Sequence, residues 1–397
     1  MRRIVFILFV ICIFGSCSNT PRQSTETIVD SDKHKDSLAI NLPVDLPKES
    51  NISAYVSEFK YVPLETNEKS LFGDCRRMEI YKDKIYILDG ISPSVLIFAM
   101  DGRFVARVGR QGNGPGELAS ATMMAIDPYH DYLILGDTMQ NKLLFYSLTG
   151  EFRKEIQCSV AGMIDFGVIG PNCLGFANGE AYDNSFSDKM NKCRIITTDT
   201  LGNISGGMLQ QKDLATFCVQ GRCFFRSDSV NYFSPLFTSD IYSVSDSSII
   251  KKYKSDYHFT PNNLDPPEDM YDFIGAAKYM DKKTAICGVF LDGKSFIAFQ
   301  TSHDKRDLTT FYDKKTRKSI TVNTHPYYTT DDSCLMALNW ITMLDDYFVA
   351  YVAAGDLIYW NKLRNDEGKN CLFPDLFATM KGDDNFVLVF FKLKSIV

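Results

Sequence analysis

Short apolar runs of five or six residues, each ended by an acidic residue or a glycine turn, recur along most of the chain. Residues 85–102 read as an apolar run closing on Asp89, a polar turn, a second apolar run and a turn at Gly102. Residues 133–150 repeat that order at a constant offset of 48. Asp89 matches Asp137, Phe98 matches Tyr146, Gly102 matches Gly150 and Phe104 matches Phe152. A looser third copy ends at Leu201-Gly202, with residues 193–198 as its strand. Runs this short, bounded by turn residues, read as strands, and strands joined by tight turns form an antiparallel meander. The grammar returns with less identity at 241–244 and 249–253, at 288–290, 295–300, 308–313 and 319–322, and in a last set at 347–353, 357–360 and 386–393.

One segment breaks the pattern. Asp265 and Glu268 frame Pro266 and Pro267 as a capping box, and Met270, Phe273, Ile274 and Ala277 follow at helical spacing, so a helix is expected over about 265–282. Allowing for this insertion, the roughly 345 residues that carry the repeat hold a little over six units of about 50, within the four to eight blades of propellers. The pattern predicts an all-β fold: a six-bladed β-propeller of four-stranded antiparallel blades over residues 46–397, with one helical insertion. An open ring would leave two unpaired edges. The ring is therefore expected to close by pairing a strand near residues 56–64 with the C-terminal strand 386–393.

The N-terminus has a different pattern. Arg2 and Arg3 precede an unbroken apolar run over 4–14, then Gly15, Ser16 and Cys17. Eleven apolar residues at about 1.5 Å each span roughly half a bilayer, so the segment reads as an export signal over 1–16 and not as a permanent membrane helix. Phe14-Gly15-Ser16-Cys17 resembles a bacterial lipobox and makes Cys17 the expected lipidation site. Residues 17–45 are rich in Ser, Thr, Asp and Lys and are expected to form a flexible tether. No dense acidic run follows Cys17, which favours a periplasm-facing position on the outer membrane over the cell surface.

Composition narrows the function. The formal charge is -6 with the acid spread out, which argues against nucleic acid and against any membrane contact beyond the lipid. Aromatic residues at 13% exclude a disordered chain. Of eleven cysteines, nine remain after the signal and Cys17 are set aside; with no C-x-x-C pair and irregular spacing they suggest neither a zinc cage nor a disulfide framework and read mostly as small buried hydrophobes, with Cys218 and Cys223 the pair to expect if any disulfide forms.

Four segments carry a family resemblance: Val62-Pro63-Leu64-Glu65-Thr66, Gly112-Asn113-Gly114-Pro115-Gly116-Glu117, Asp240-Ile241-Tyr242, and residues 385–394. They resemble the six-bladed β-propeller lipoproteins of Bacteroidetes, a family similar to NHL-repeat propellers. The resemblance implies the fold and a cell-envelope location, and no activity. Asn385-Phe386 stands where the family often has Asn-Pro.

Candidate chemistry is sparse. The order G-x-x-G-x-G-P-G-E over 109–117 matches neither nucleotide-binding glycine motif, and Pro115 lacks an N–H, so an interblade loop is expected; Glu117 could still face a ligand. Asp89 and Asp137 recur once per unit, either as turn-capping carboxylates or as part of an acidic ring around the channel. The five histidines are scattered, no serine-nucleophile motif occurs, and Arg76-Arg77 and Lys251-Lys252 read as solvated basic pairs. No catalytic residue and no cofactor is assigned, calcium being the weak exception. The expected function is a binding or scaffold module for an envelope protein, small molecule or glycan, with Asp89, Asp137 and Glu117 as ligand-facing candidates. The competing reading is a lactonase-like hydrolase with a central metal held by Glu, Asp and Asn. The first test concerns the address: Cys17→Ala should abolish incorporation of a fatty-acid analogue and release the protein from the membrane fraction, and continued labelling would refute lipidation there.

Overall fold

The apolar runs are buried on both sides. Ile85 and Ile87 pack with Val349, Tyr351 and Leu388, while Tyr86 and Leu88 pack with Leu133, Leu135 and Leu144. Successive residues of a strand face opposite sides of its sheet, so each sheet must lie between two others. A closed ring of sheets meets that demand for every member. This is the architecture of the computed structural model, which describes residues 27–31, 37–46, 52–178, 186–210, 221–235, 238–258, 284–304, 306–323, 342–366 and 374–397, with a few single positions between them.

Three strands come first, β1 (Thr27–Val29), β2 (Ile40–Val44) and β3 (Val56–Pro63), and each joins a blade built from later residues. Blade 1 is β4 (Cys75–Tyr81), β5 (Lys84–Asp89), β6 (Val95–Ala99) and β7 (Phe104–Val108). Blade 2 is β8 (Met123–Asp127), β9 (Tyr132–Asp137), β10 (Lys142–Ser147) and β11 (Phe152–Gln157). Blade 3 contains β12 (Phe166–Gly170), β13 (Cys173–Ala177), β14 (Cys193–Thr198) and β15 (Ile204–Gln210), with a short helix α1 (Asp188–Asn191) before β14. Blade 4 is β16 (Phe224–Ser227), β17 (Val230–Phe233), β18 (Asp240–Val244) and β19 (Ile249–Tyr257). Blade 5 is β20 (Ala285–Asp292), β21 (Phe296–His303), β22 (Arg306–Asp313) and β23 (Ser319–Asn323).

Blade 6 draws on both ends of the chain. β24 (Thr342–Leu344), β25 (Tyr347–Val352) and β26 (Val387–Leu393) come from the C-terminal part, and β3 supplies the outer strand, antiparallel to β26 from Val387↔Pro63 to Leu393↔Val56. The expected closure is thus the one observed. Helices α2 (Ala354–Asp366) and α3 (Pro374–Phe377) fill the link between β25 and β26. The sequence reading took 357–360 as a strand; these residues lie in α2, where Ala354, Leu357 and Asn361 are the buried positions. Four apolar residues in a row fit either period, and the spacing of three and four that separates them needed a longer window. The helix expected at 265–282 lies outside the described residues except for its last position.

The reading of 17–45 as a free tether also needs correction. β1 pairs in parallel with β15, and β2 pairs in parallel with β19, adding a fifth strand to blades 3 and 4. Leu42 and Val44 are fully buried among Tyr232, Tyr253 and Phe290. Two alternating apolar residues suffice when a partner edge already exists, and Pro43 is tolerated because β2 is an edge strand.

The repeated glycines have a common cause. Gly102, Gly150 and Gly202 turn the third strand into the fourth with φ of 86°, 97° and 86°. A Cβ at Gly102 would lie 2.1 Å from the carbonyl oxygen of Pro63, and at Gly202 it would lie 2.6 Å from that of Gln157. Each turn therefore rests on the outer strand of the preceding blade, where only glycine fits. Closure of the ring yields the second prediction. Phe391 is fully buried opposite half-exposed Phe59, so Phe391→Ala should cost about 3–5 kcal/mol in urea unfolding and Phe59→Ala about 0.5 or less. Deleting 385–397 should abolish cooperative unfolding, and an unchanged melting transition would contradict closure through β26.

Candidate functional site

The first strands, β4, β8, β12, β16, β20 and β24, stand around the channel. Among the described residues the channel interior is crossed by charge. Arg77 on β4 donates from Nε to Glu79 (3.0 Å) and from Nη1 to Asp165 at the entry to β12 (3.2 Å), reaching from blade 1 to blade 3. Asp165 also accepts the backbone N–H groups of Cys223 and Phe224, both at 2.8 Å, which ties in blade 4. Arg222 bonds Glu79 through Nη2, donates from Nε to the Phe224 carbonyl (3.2 Å) and lies over the Phe225 ring at 5.0 Å. Two guanidiniums and two carboxylates thus interlock across the axis, with side chains 3–16% exposed.

The two arginines are not equivalent. Burial acts against the Arg77 cation, but attraction to Asp165 and Glu79 outweighs it and holds its pKa above the ordinary value. Arg222 is lowered to about 10, first by burial and then by repulsion from Arg77, with Glu79 and Asp165 compensating only in part. Both remain cationic at neutral pH.

This network stands between the two ends of the first strands, where the channel has two unequal mouths. On one side a cavity of about 330 Å³ is lined by Arg76, Arg77, Arg222, Asp74, Asp165 and Thr122, with Met123, Met163 and Ile164 among its apolar walls. Arg76 is the extra residue of a bulge in β4, since Cys75 pairs with Asp89 and Arg77 with Leu88. Bulges re-aim side chains in this way beside functional sites. On the other side a cavity of about 490 Å³ is lined by turn tips of mixed charge, including Lys82, Asp228, Lys294, Asp345 and Asp346. The smaller mouth, with fixed and buried charges, is the candidate site.

The ligand-facing candidates from sequence lie elsewhere. Asp89 and Asp137 end second strands, one strand removed from the channel, and are 3% and 0% exposed. Asp89 accepts N–H groups from Gly73, Asp74 and Ile91; Asp137 accepts them from Ala119, Met139 and Gln140. Their carboxylates are occupied by turn and loop backbone, so they form no acidic ring. Glu117 accepts from the Gly114 N–H at 3.0 Å and pairs with Arg110; these bonds, the backbone one first, hold its pKa below the ordinary value. A Cβ at Gly112 would sit 2.0 Å from the Glu117 carboxylate. The glycine motif therefore wraps its own glutamate and presents no cradle for a phosphate. Among the described residues no group of three His, Cys, Asp or Glu side chains is placed to share a metal ion. The channel carboxylates are engaged by guanidiniums, an electrostatic setting that disfavours a cation. Cys223 is buried beside the network, and Cys218, the cysteine it would pair with if a disulfide formed, lies outside the described residues.

Comparison with known proteins agrees with this architecture. The family described as Domain of unknown function (DUF4934) matches residues 37–392. The chain belongs to the DUF4934 family. A protein of Bacteroides fragilis described as exported has a similar structure at 18% identity, with a TM-score of 0.71 over 89% of this chain and 100% of that one. A DUF4221 member from Bacteroides vulgatus is similar at 10% identity, with a TM-score of 0.51 over 85% and 97%. At these identities the likeness is one of fold. No curated protein matches the chain.

In this DUF4934 chain the residues that sequence reasoning missed are Glu79, Asp165 and Arg222, and Arg77 was set aside as solvated. The available signal was charge inside an otherwise apolar first strand, Arg77-Met78-Glu79-Ile80, and an aspartate directly before Phe166-Gly167-Val168-Ile169-Gly170. Asp165→Ala should destabilise the protein by about 3–5 kcal/mol, because it takes one of two carboxylates from the buried Arg77 guanidinium and leaves the Cys223 and Phe224 N–H groups without their acceptor. Adding Arg77→Met should recover the part of that loss owed to the guanidinium. Additive losses in urea unfolding would refute the coupling.

Proposed function

We propose that this DUF4934 protein is a lipid-anchored binding module of the cell envelope, attached through Cys17 and facing the periplasm, which takes its ligand at the smaller channel mouth. The observation that carries the reading is the Arg77–Glu79–Arg222–Asp165 network. A buried ion network is a poor way to gain stability, because well-packed apolar residues of similar volume often do as well or better. Its charges are instead held in fixed positions by backbone N–H groups, a carbonyl and an aromatic ring, which is the preorganisation that recognition requires. The export-type N-terminus supports the address, as does the structural neighbour described as exported. Among the described residues, no helix is long and apolar enough to cross a membrane.

Docking of β1 changes how such a molecule would be held. Ten residue steps separate Cys17 from Thr27, about 35 Å at full extension. The lipid would therefore keep the rim of blade 3 near the bilayer, and the channel mouths would open to the side of that attachment.

The test uses the lipid-free form beginning after Cys17. It should be stabilised thermally by a ligand that protects 74–77 and 221–224 from hydrogen exchange, and it should not turn over lactones, esters or glycosides. Turnover abolished by Glu79→Gln, or ligand protection confined to the turn-lined mouth, would overturn the reading.

A further inference from the structure

We propose that the smaller mouth binds the carboxylate of a monosaccharide-sized organic acid; this rests on the reading that the mouth is the ligand site. Three guanidiniums, Arg76, Arg77 and Arg222, line one cavity of about 330 Å³, at the small end of the range for ligand pockets. Arg77 and Arg222 are held rigidly by Glu79, Asp165 and the Phe224 carbonyl. The Arg76 side chain, on the bulge, makes no hydrogen bond or ion pair to another described residue. The N–H groups of the Arg76 guanidinium are thus left to a ligand in this cavity.

The charge balance selects a monoanion. Glu79 and Asp165 balance Arg77 and Arg222, so Arg76 is the one guanidinium of the lining without an ion pair to a described residue, and a single carboxylate is the charge it can match. Asp165 is saturated by Arg77 and two backbone N–H groups, so it competes weakly for a guanidinium at the mouth. Asp74, which accepts the Cys75 N–H, would repel a second negative charge on the ligand. A planar guanidinium fork fits a carboxylate edge to edge. Met123, Met163 and Ile164 give the remainder of the ligand an apolar surface, suited to the C–H face of a sugar ring or a short aliphatic chain.

The experiment is calorimetric titration of the lipid-free protein with D-galacturonate, D-galactose, N-acetyl-Ala-Ala, its C-terminal amide, and inorganic phosphate. The expected result is saturable binding of at least one free carboxylate, with the matched neutral compound weaker by at least about tenfold. Arg76→Gln should abolish that preference without changing the melting temperature, and Arg222→Lys should weaken binding while keeping the charge. Galacturonate and the peptide distinguish a sugar acid from a chain terminus as the source of the carboxylate. Equal binding of charged and neutral members, an unaffected Arg76→Gln variant, tighter binding of phosphate, or no binding of either carboxylate would overturn the inference. Should a neutral ligand still protect 74–77 and 221–224 from exchange, the mouth would stand as the binding site and only the carboxylate assignment would fall.

Discussion

Pairing of β3 with β26 is the contact on which the rest of the molecule depends. The four core strands of five blades are contiguous in sequence and could form locally, but blade 6 requires residues 56–63 to meet residues 387–393 across almost the whole chain. Until that happens, the faces of blades 1 and 5 that meet blade 6 are uncovered, and the apolar clusters joining Val349, Tyr351 and Leu388 to blade 1 and Phe348, Val389 and Phe391 to blade 5 do not exist. The join is reinforced from both sides. Asp313 in blade 5 accepts from the Ser395 hydroxyl and the Ile396 N–H, the Lys394 N–H donates to the Tyr55 carbonyl, and Asn385 bonds the loop at 65–72. Burial alone would raise the pKa of Asp313, yet the bonds from Ser395 and Ile396, with those from the Thr316 and Lys315 N–H groups, lower it, so the clasp is made to the carboxylate form.

Once the ring is closed, polar groups can remain inside only if they satisfy one another. Both faces of every sheet are committed to apolar neighbours, so the inner edges of the first strands are the main surface left to a central charge. There the arginines and carboxylates of blades 1, 3 and 4 pair across the axis. The same rule governs the contact between blades 4 and 5, where the hydroxyls of Tyr232 and Tyr253 both donate to Asp292 and the Asp292 N–H donates to Ser227. A carboxylate buried at a blade contact is in each case surrounded by donors from a second blade, which ties polar satisfaction to the relative placement of blades.

The fold was legible because its determinants are local and repeated. Asp89 with Asp137, and Gly102 with Gly150, mark the same two turns in successive blades, and each residue type has a steric or hydrogen-bonding reason to be there. The blade count followed from them, and the closing strands from the edges that an open ring would leave unpaired. The strands β1 and β2 were hidden because their stability comes from the edges of β15 and β19, which a local pattern does not contain. The candidate site was hidden for a similar reason. Arg77, Asp165 and Arg222 are separated by 88 and 57 positions, and nothing in the immediate neighbourhood of one announces the others. The turn aspartates looked more chemical than the channel arginines because repetition draws the eye to scaffold, whereas a binding site on a repeat fold sits where the repeats differ.

Scaffold and site are nevertheless joined at one point. Asp89, bound to the N–H groups of Gly73 and Asp74 as well as its own turn, fixes the loop that enters β4, and β4 then bulges at Arg76. Asp137 grips the loop entering β8 in the same manner, yet Met123 and Met124 follow there with no bulge and no charge. The same anchoring device therefore delivers a guanidinium to the mouth in one blade and an apolar wall in the next. The asymmetry continues inward, where Arg77 has two carboxylates and Arg222 shares one of them while facing the Arg77 cation. Arg222 is the less compensated of the two cations, and both guanidiniums line the cavity that holds Arg76. A negative group entering there would offset the repulsion between the two buried arginines and leave every existing hydrogen bond in place.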